Sequence, residues 1–119
     1  LYLDTFNYNG HTSSVDALYA GVPVLTKIGN SFPSRVCASI LNAFNMSELI
    51  VSSEKQYFDL AFEIANNKEK LSKLKIDVKN NFEKTALFNT KKYVQNLEKG
   101  YELALKKKVV QDMVDHIEV

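Results

Sequence analysis

The residues best equipped for chemistry lie in one run, Asn9-Gly10-His11-Thr12-Ser13-Ser14-Val15-Asp16. Gly10 permits a tight turn or the close approach of a ligand to the backbone. His11 can donate to an oxygen in either protonation state. Thr12, Ser13 and Ser14 supply hydroxyls, and Asp16 a carboxylate. At the start of a helix the first N–H groups have no partner within it and carry partial positive charge. Phosphate at such a place is physically well motivated. The same run has a second reading: Ser13-x-x-Asp16 has the spacing of a capping box, with Asp in place of Glu or Gln. Thr12 and Ser13 would then only satisfy the helix's own amides. Taken alone, the octapeptide leaves both open.

The elements around it decide where such a run would sit. Leu1 to Leu3 reads as a short buried strand, and Ser13 to about Ala20 as a helix with Val15, Leu18 and Tyr19 apolar, stopped by Gly21. Val22 to Thr26 is β-branched and enters through a proline, as a strand can. Gly29 to Pro33 is rich in turn residues. Ser34 is placed to cap a second helix carrying Val36, Ala38, Ile40, Leu41 and Phe44, and Leu49 to Val51 gives a third strand. Strands separated by helical segments imply parallel pairing, so the octapeptide lies at a strand-to-helix turn, where open α/β sheets place ligands.

Helices follow. Ser53-Glu54 begins one with Tyr57, Phe58, Leu60, Ala61 and Ile64 on its apolar side. Lys68 to about Lys84 carries Leu71, Leu74, Val78 and Phe82 at helical spacing, opposite a lysine-rich face. Asn89 or Thr90 starts a last helix with Tyr93, Leu97, Tyr101 and Leu105. The division expected is an α/β part over 1–52, helices of the same lobe over 53–108, and a weakly patterned tail over 109–119.

Composition narrows the classes. The 119 residues suit one domain, with 15 basic against 14 acidic side chains and a net charge of +1. No basic face is interleaved with aromatics, so nothing asks for nucleic acid. No apolar run is long enough to span a bilayer and no signal peptide is laid out, which points to the cytoplasm. Cys37 stands alone in an apolar helical pattern and reads as core. His11 and His116 are far apart, and no spacing matches a metal-ligand set. Ser34 and Ser39 show no nucleophile elbow, and neither G-x-G-x-x-G nor a P-loop is present. Arg35, the only arginine, could meet a phosphate or carboxylate, but a surface salt bridge is the commoner fate. Asp4 at a strand end more often orders the next loop through its amides than touches a ligand. The chain opens at Leu1-Tyr2-Leu3-Asp4, directly in a strand, and so reads as a piece of a longer protein.

Several segments together carry a resemblance. They are Leu3-Asp4-Thr5, Asn9 to Ser13, Asp16, Ala20-Gly21-Val22-Pro23-Val24, Ser34-Arg35-Val36, Glu48-Leu49-Ile50 and Leu87-Phe88-Asn89-Thr90-Lys91-Lys92-Tyr93. In that order they resemble the carboxy-terminal half of O-linked N-acetylglucosaminyltransferases and SPINDLY-like enzymes, from Leu1 to about Leu105. Ala-Gly-x-Pro-Val alone occurs in many glycosyltransferases of the two-lobed GT-B type. The His-Thr-[Thr/Ser]-x-x-Asp and Leu-Phe-Asn-Thr-Lys elements together are specific.

The resemblance implies a Rossmann-like half of a GT-B donor lobe that binds a UDP-sugar as substrate, with no further cofactor or metal. His11, Thr12 and Ser13 match the run that binds the diphosphate, Ser13 replacing the commoner Thr but keeping its hydroxyl, and Asp16 matches the ribose contact. The implied reaction is inverting transfer of a sugar, N-acetylglucosamine above all, to a protein Ser or Thr. The amino-terminal lobe with its candidate base, the uracil-contacting segment, an upstream lysine and the tetratricopeptide repeats have no counterpart here. The chain alone is therefore expected to be inactive, to contain no catalytic residue of its own, and to need that lobe as a partner, toward which the last helix of GT-B enzymes commonly crosses. Two rivals stand beside this expectation: a cytoplasmic N-glucosyltransferase acting on Asn, and a non-catalytic α/β interaction module in which Ser13 and Asp16 merely cap.

Overall fold

The computed structural model describes residues 1–111. In chain order these form β1 (Tyr2–Leu3), α1 (Thr12–Tyr19), β2 (Val24–Lys27), α2 (Val36–Ala43), a 3-10 turn (Ser47–Leu49), β3 (Ile50–Val51), α3 (Glu54–Asn66), α4 (Lys68–Lys84) and α5 (Thr90–Gln111). Residues 1–87 make one compact unit, and a second begins at Phe88. The fold of the first unit is α/β, as the alternation of strands and helices requires.

The three strands are parallel in the order β1-β2-β3. Tyr2 and Leu3 lie opposite Val24 and Leu25, while Thr26 and Lys27 lie opposite Ile50 and Val51. Parallel neighbours need crossovers of helical length, which α1 and α2 supply. Because every strand runs the same way, the loops after them (4–11, 28–35 and 52–53) gather at one edge of the sheet. β2 is central, and its Val24, Leu25 and Thr26 are fully buried, as a strand covered on both faces should be. Leu18, Cys37, Leu41, Phe44, Leu49 and Ile64 complete the core around it, and Leu74 and Val78 extend it along α4. Each large apolar side chain so enclosed stabilises the fold by about 1.5–3 kcal/mol relative to exposure.

Helix ends follow local chemistry. α1 closes on Gly21 at φ 77°, with Val22 N donating to Ala17 O at 2.8 Å and Gly21 N to Leu18 O at 3.0 Å. α2 closes the same way on Asn45 at φ 57°, where Met46 N donates to Leu41 O at 2.9 Å. Both are left-handed caps, which glycine and asparagine tolerate best. At the other ends Ser53 accepts from Gln56 N, Asn67 from Lys70 N and Asn89 from Lys92 N; the sequence marks the starts at Ser53 and Asn89.

Three expectations change. Leu3 is not buried but 54% exposed, because its side chain lies on a face of β1 that no described element covers. Ser34 does not cap α2; its hydroxyl accepts from Ser31 N and donates to Ser31 O, closing the loop on itself. Phe58 is 67% exposed and stacks on the equally exposed Phe62, so the buried stripe of α3 is narrower than its apolar spacing implies. α5 continues to Gln111, and the rest of the expected tail, 112–119, lies outside the described residues. No described helix is long and apolar enough to cross a membrane.

Candidate functional site

The loop between β1 and α1 is built on a buried carboxylate. Asp4 is 3% exposed; its Oδ1 accepts from Gly10 N at 2.6 Å and its Oδ2 from the Thr26 hydroxyl at 2.6 Å. Asp4 therefore orders the loop that carries the octapeptide, as its place at a strand end suggested. Asn9, also buried, donates through Nδ2 to Thr5 O at 2.8 Å and accepts from Cys37 N at 3.3 Å. The first turn of α2 thus receives its side-chain partner from a loop 28 positions earlier. Nothing within four residues of α2 signals that bond.

Gly10 follows, and its role is close approach. A Cβ there would lie 2.6 Å from the hydroxyl oxygens of both Ser13 and Ser14 and 2.9 Å from that of Tyr2. Three hydroxyls and the backbone of Gly10 are thereby packed at the amino end of α1.

His11 is the residue before the first turn, and its side chain does not cap the helix. Its imidazole is stacked on Tyr8, with centroids 5.0 Å apart and planes 16° apart, and meets Phe32 edge-on at 6.4 Å. The Nε2 atom is buried without a hydrogen-bond partner. The hydroxyl of Ser14 is likewise buried and unpartnered. Ser13 hydrogen-bonds the Tyr2 hydroxyl at 3.1 Å rather than the helix's own amides. The side chains of Thr12 and Asp16, one turn apart on the exposed face of α1, make no hydrogen bond or ion pair among the described residues. The capping box is not formed. The α1 start offers free amides, a buried imidazole nitrogen without a partner, and an exposed hydroxyl and carboxylate.

Beneath the site, burial pushes the Cys37 thiol up to about 11, with the nearby Asp4 carboxylate adding to the shift; Cys37 is core, as expected. The Tyr57 hydroxyl donates to Asp4 O at 2.8 Å, and burial first, then the Asp4 charge, raises it to about 12. Arg35 is exposed and forms no ion pair among the described residues, contrary to the salt bridge expected of it. It lines an open cleft with Ile28, Phe32, Val36 and Ser39.

Sequence reasoning placed His11, Thr12, Ser13 and Asp16 together, and the structure brings them to one helix start. It missed Tyr8 and Phe32. Their only signal is two aromatic residues in otherwise polar turns, and the ring geometry that joins them to His11 has no short-range pattern.

A parallel α/β unit with an uncapped helix start at the carboxyl edge of its strands is, in class, part of an open α/β sheet of the kind that binds ligands there. The chain belongs to glycosyl transferase family 41, whose family model matches residues 1–97. It is 33% identical over 99 residues to the "Probable UDP-N-acetylglucosamine--peptide N-acetylglucosaminyltransferase SPINDLY" of Petunia hybrida, covering 83% of this chain and 11% of that protein. It is 37% identical over 100 residues to the similarly named SEC of Arabidopsis thaliana, covering 83% and 10%. Among solved structures, a mutant O-GlcNAc transferase of Thermobaculum terrenum matches with a TM-score of 0.75 at 28% identity, over 83% of this chain and 19% of that one. The chain spans about a tenth of the length of the curated relatives it matches.

Proposed function

We propose that the protein carrying this chain transfers a sugar, N-acetylglucosamine, from a UDP-sugar to the hydroxyl of a protein Ser or Thr, with inversion and without a metal ion. In this reading the chain contributes the donor diphosphate and ribose contacts, and an amino-terminal lobe of the same enzyme completes the cleft in the cytoplasm. The observation that carries it is the start of α1, which no side chain caps and where His11 Nε2 lies buried without a partner. Free helix amides favour an anion there, and a buried donor left unpaired costs about 1–3 kcal/mol until a ligand satisfies it. As the sugar leaves, negative charge grows on the diphosphate. His11, Thr12, Ser13 and the α1 amides would stabilise that charge, the work of preorganised donors. Asp16, exposed and unpaired, would accept from the ribose hydroxyls, a device shared with dinucleotide-binding folds. The relatives named as probable UDP-N-acetylglucosamine–peptide N-acetylglucosaminyltransferases support the choice of a UDP-sugar donor and a peptide acceptor.

The test is calorimetric titration of the complete protein with UDP. His11→Ala should weaken binding by about 1.5–3 kcal/mol, the range for hydrogen bonds to a charged group. Unchanged affinity would leave α1 an ordinary helix start, and absence of any UDP binding would favour an interaction module. Mass analysis of a glycosylated acceptor separates a modified hydroxyl from the modified Asn of an N-glucosyltransferase.

A further inference from the structure

We infer that Tyr8 and Phe32 are positioning residues for His11, an aromatic clamp that holds the imidazole ready for the donor diphosphate; this rests on the donor site proposed above. The two rings come from different loops, Tyr8 from the one after β1 and Phe32 from the one after β2. Tyr8 covers a face of the imidazole in near-parallel stacking, and Phe32 meets it at 89°. Both rings are mostly exposed, at 65% and 73%, so core packing does not account for their placement. Yet both are set on fastened backbone. Thr5 donates to the carbonyl of Tyr8, Asn9 N donates to Pro33 O at 2.9 Å, and Ser34 closes the loop holding Phe32. The Asn9–Pro33 bond joins the residue after Tyr8 to the residue after Phe32, and so fixes the width of the clamp.

The imidazole needs such a device. The outer torsion of a histidine is broad and roughly two-fold, and His11 makes no hydrogen bond that would fix it. Ring contacts are what is left to choose its orientation. Holding it before the ligand arrives removes an ordering cost from binding, which is how preorganisation raises affinity.

The experiment measures UDP affinity in the complete protein for Tyr8→Leu, Tyr8→Phe and Phe32→Ala, each also in a His11→Ala background. Tyr8→Leu and Phe32→Ala should each weaken UDP about two- to tenfold, the equivalent of one aromatic pair. Tyr8→Phe, which keeps the ring, should bind as the parent does. In the His11→Ala background neither change should cost anything further. The carbon-bound protons of the His11 ring should show ring-current shifts that Tyr8→Leu removes and Tyr8→Phe keeps. If Tyr8→Leu leaves affinity intact while His11→Ala weakens it, the clamp is overturned and the donor site stands. An equal loss in the His11→Ala background would show Tyr8 acting on its own, and would also overturn it. If His11→Ala itself has no effect, the donor site fails and takes the clamp with it.

Discussion

Asp4 and Gly10 are joined by a 2.6 Å hydrogen bond from the glycine amide to a buried carboxylate oxygen. The other oxygen of Asp4 takes the Thr26 hydroxyl in the central strand. One side chain therefore ties the loop bearing His11 to the buried central strand of the sheet. Asp4→Ala should remove both acceptors and leave the buried Thr26 hydroxyl and the part-buried Gly10 amide unsatisfied, costing about 1–3 kcal/mol for the buried hydroxyl and less for the amide. Thermal melting would register the loss. UDP affinity should fall as well, because the α1 start loses its anchor, and a variant with normal melting would refute this account of the loop.

Gly10 and Gly21 are needed for different reasons, and their alanine variants should behave differently. At Gly21 a Cβ meets nothing within 4 Å, but φ is 77°. Gly21→Ala should cost stability by about 1–2 kcal/mol from the left-handed backbone, with UDP binding unchanged. At Gly10 the added Cβ would be 2.6 Å from two serine hydroxyls, so those side chains must move. Gly10→Ala should lower UDP affinity, at an overpacking cost of about 1–3 kcal/mol in stability. Comparing melting with titration for the pair checks both, and equal behaviour would refute the distinction.

What could be read from the sequence is what is local. The helix starts at Ser53 and Asn89, the stop at Gly21 and the extent of α4 all follow from a few adjacent residues. The run from His11 to Asp16 was legible as a cluster of donors and a carboxylate, though not the choice between cap and site. Nor was it legible that α1 has no side-chain cap, since Ser13 pairs with the Tyr2 hydroxyl, an interaction set by the sheet and not by the helix. The same limit applies to Asn9, whose partner Cys37 lies two elements away, and to Ser34, which turned inward to its own loop. Leu3 and Phe58 were misplaced because periodicity tells which face is apolar, not whether another element covers it.

Asp16 separates the two readings of α1 most cleanly. It is exposed and has no partner in the described fold, so its removal should not disturb packing. Asp16→Asn should leave the melting temperature within experimental error and weaken UDP by about 1.5–3 kcal/mol, the range for hydrogen bonds to a charged group. A lowered melting temperature with unaltered affinity would return the residue to a role in the helix alone.

The buried Cys37 thiol and the half-buried Tyr57 phenol predict a stability loss in alkali. Cys37 is raised from 9.0 to about 11, chiefly by burial, and Tyr57 from 10.0 to about 12, again chiefly by burial. In both, the native state keeps the proton to a higher pH than the unfolded chain does, so unfolding releases protons in alkali and stability falls as pH rises. Their contribution is complete below about pH 9 and is lost between there and about pH 12. Melting across that range should show a downward slope that Cys37→Ala combined with Tyr57→Phe makes shallower. Tyr57→Phe should also lower the neutral baseline, since it removes the 2.8 Å hydrogen bond to Asp4 O. Thiol alkylation supplies an independent reading, because the thiolate is the nucleophile and burial with a raised pKa suppresses it. Cys37 should resist iodoacetamide in the folded protein and react once the protein is unfolded. Rapid alkylation of the native protein at neutral pH would mean that the packing around Cys37, and with it the floor of the candidate site, is not as described.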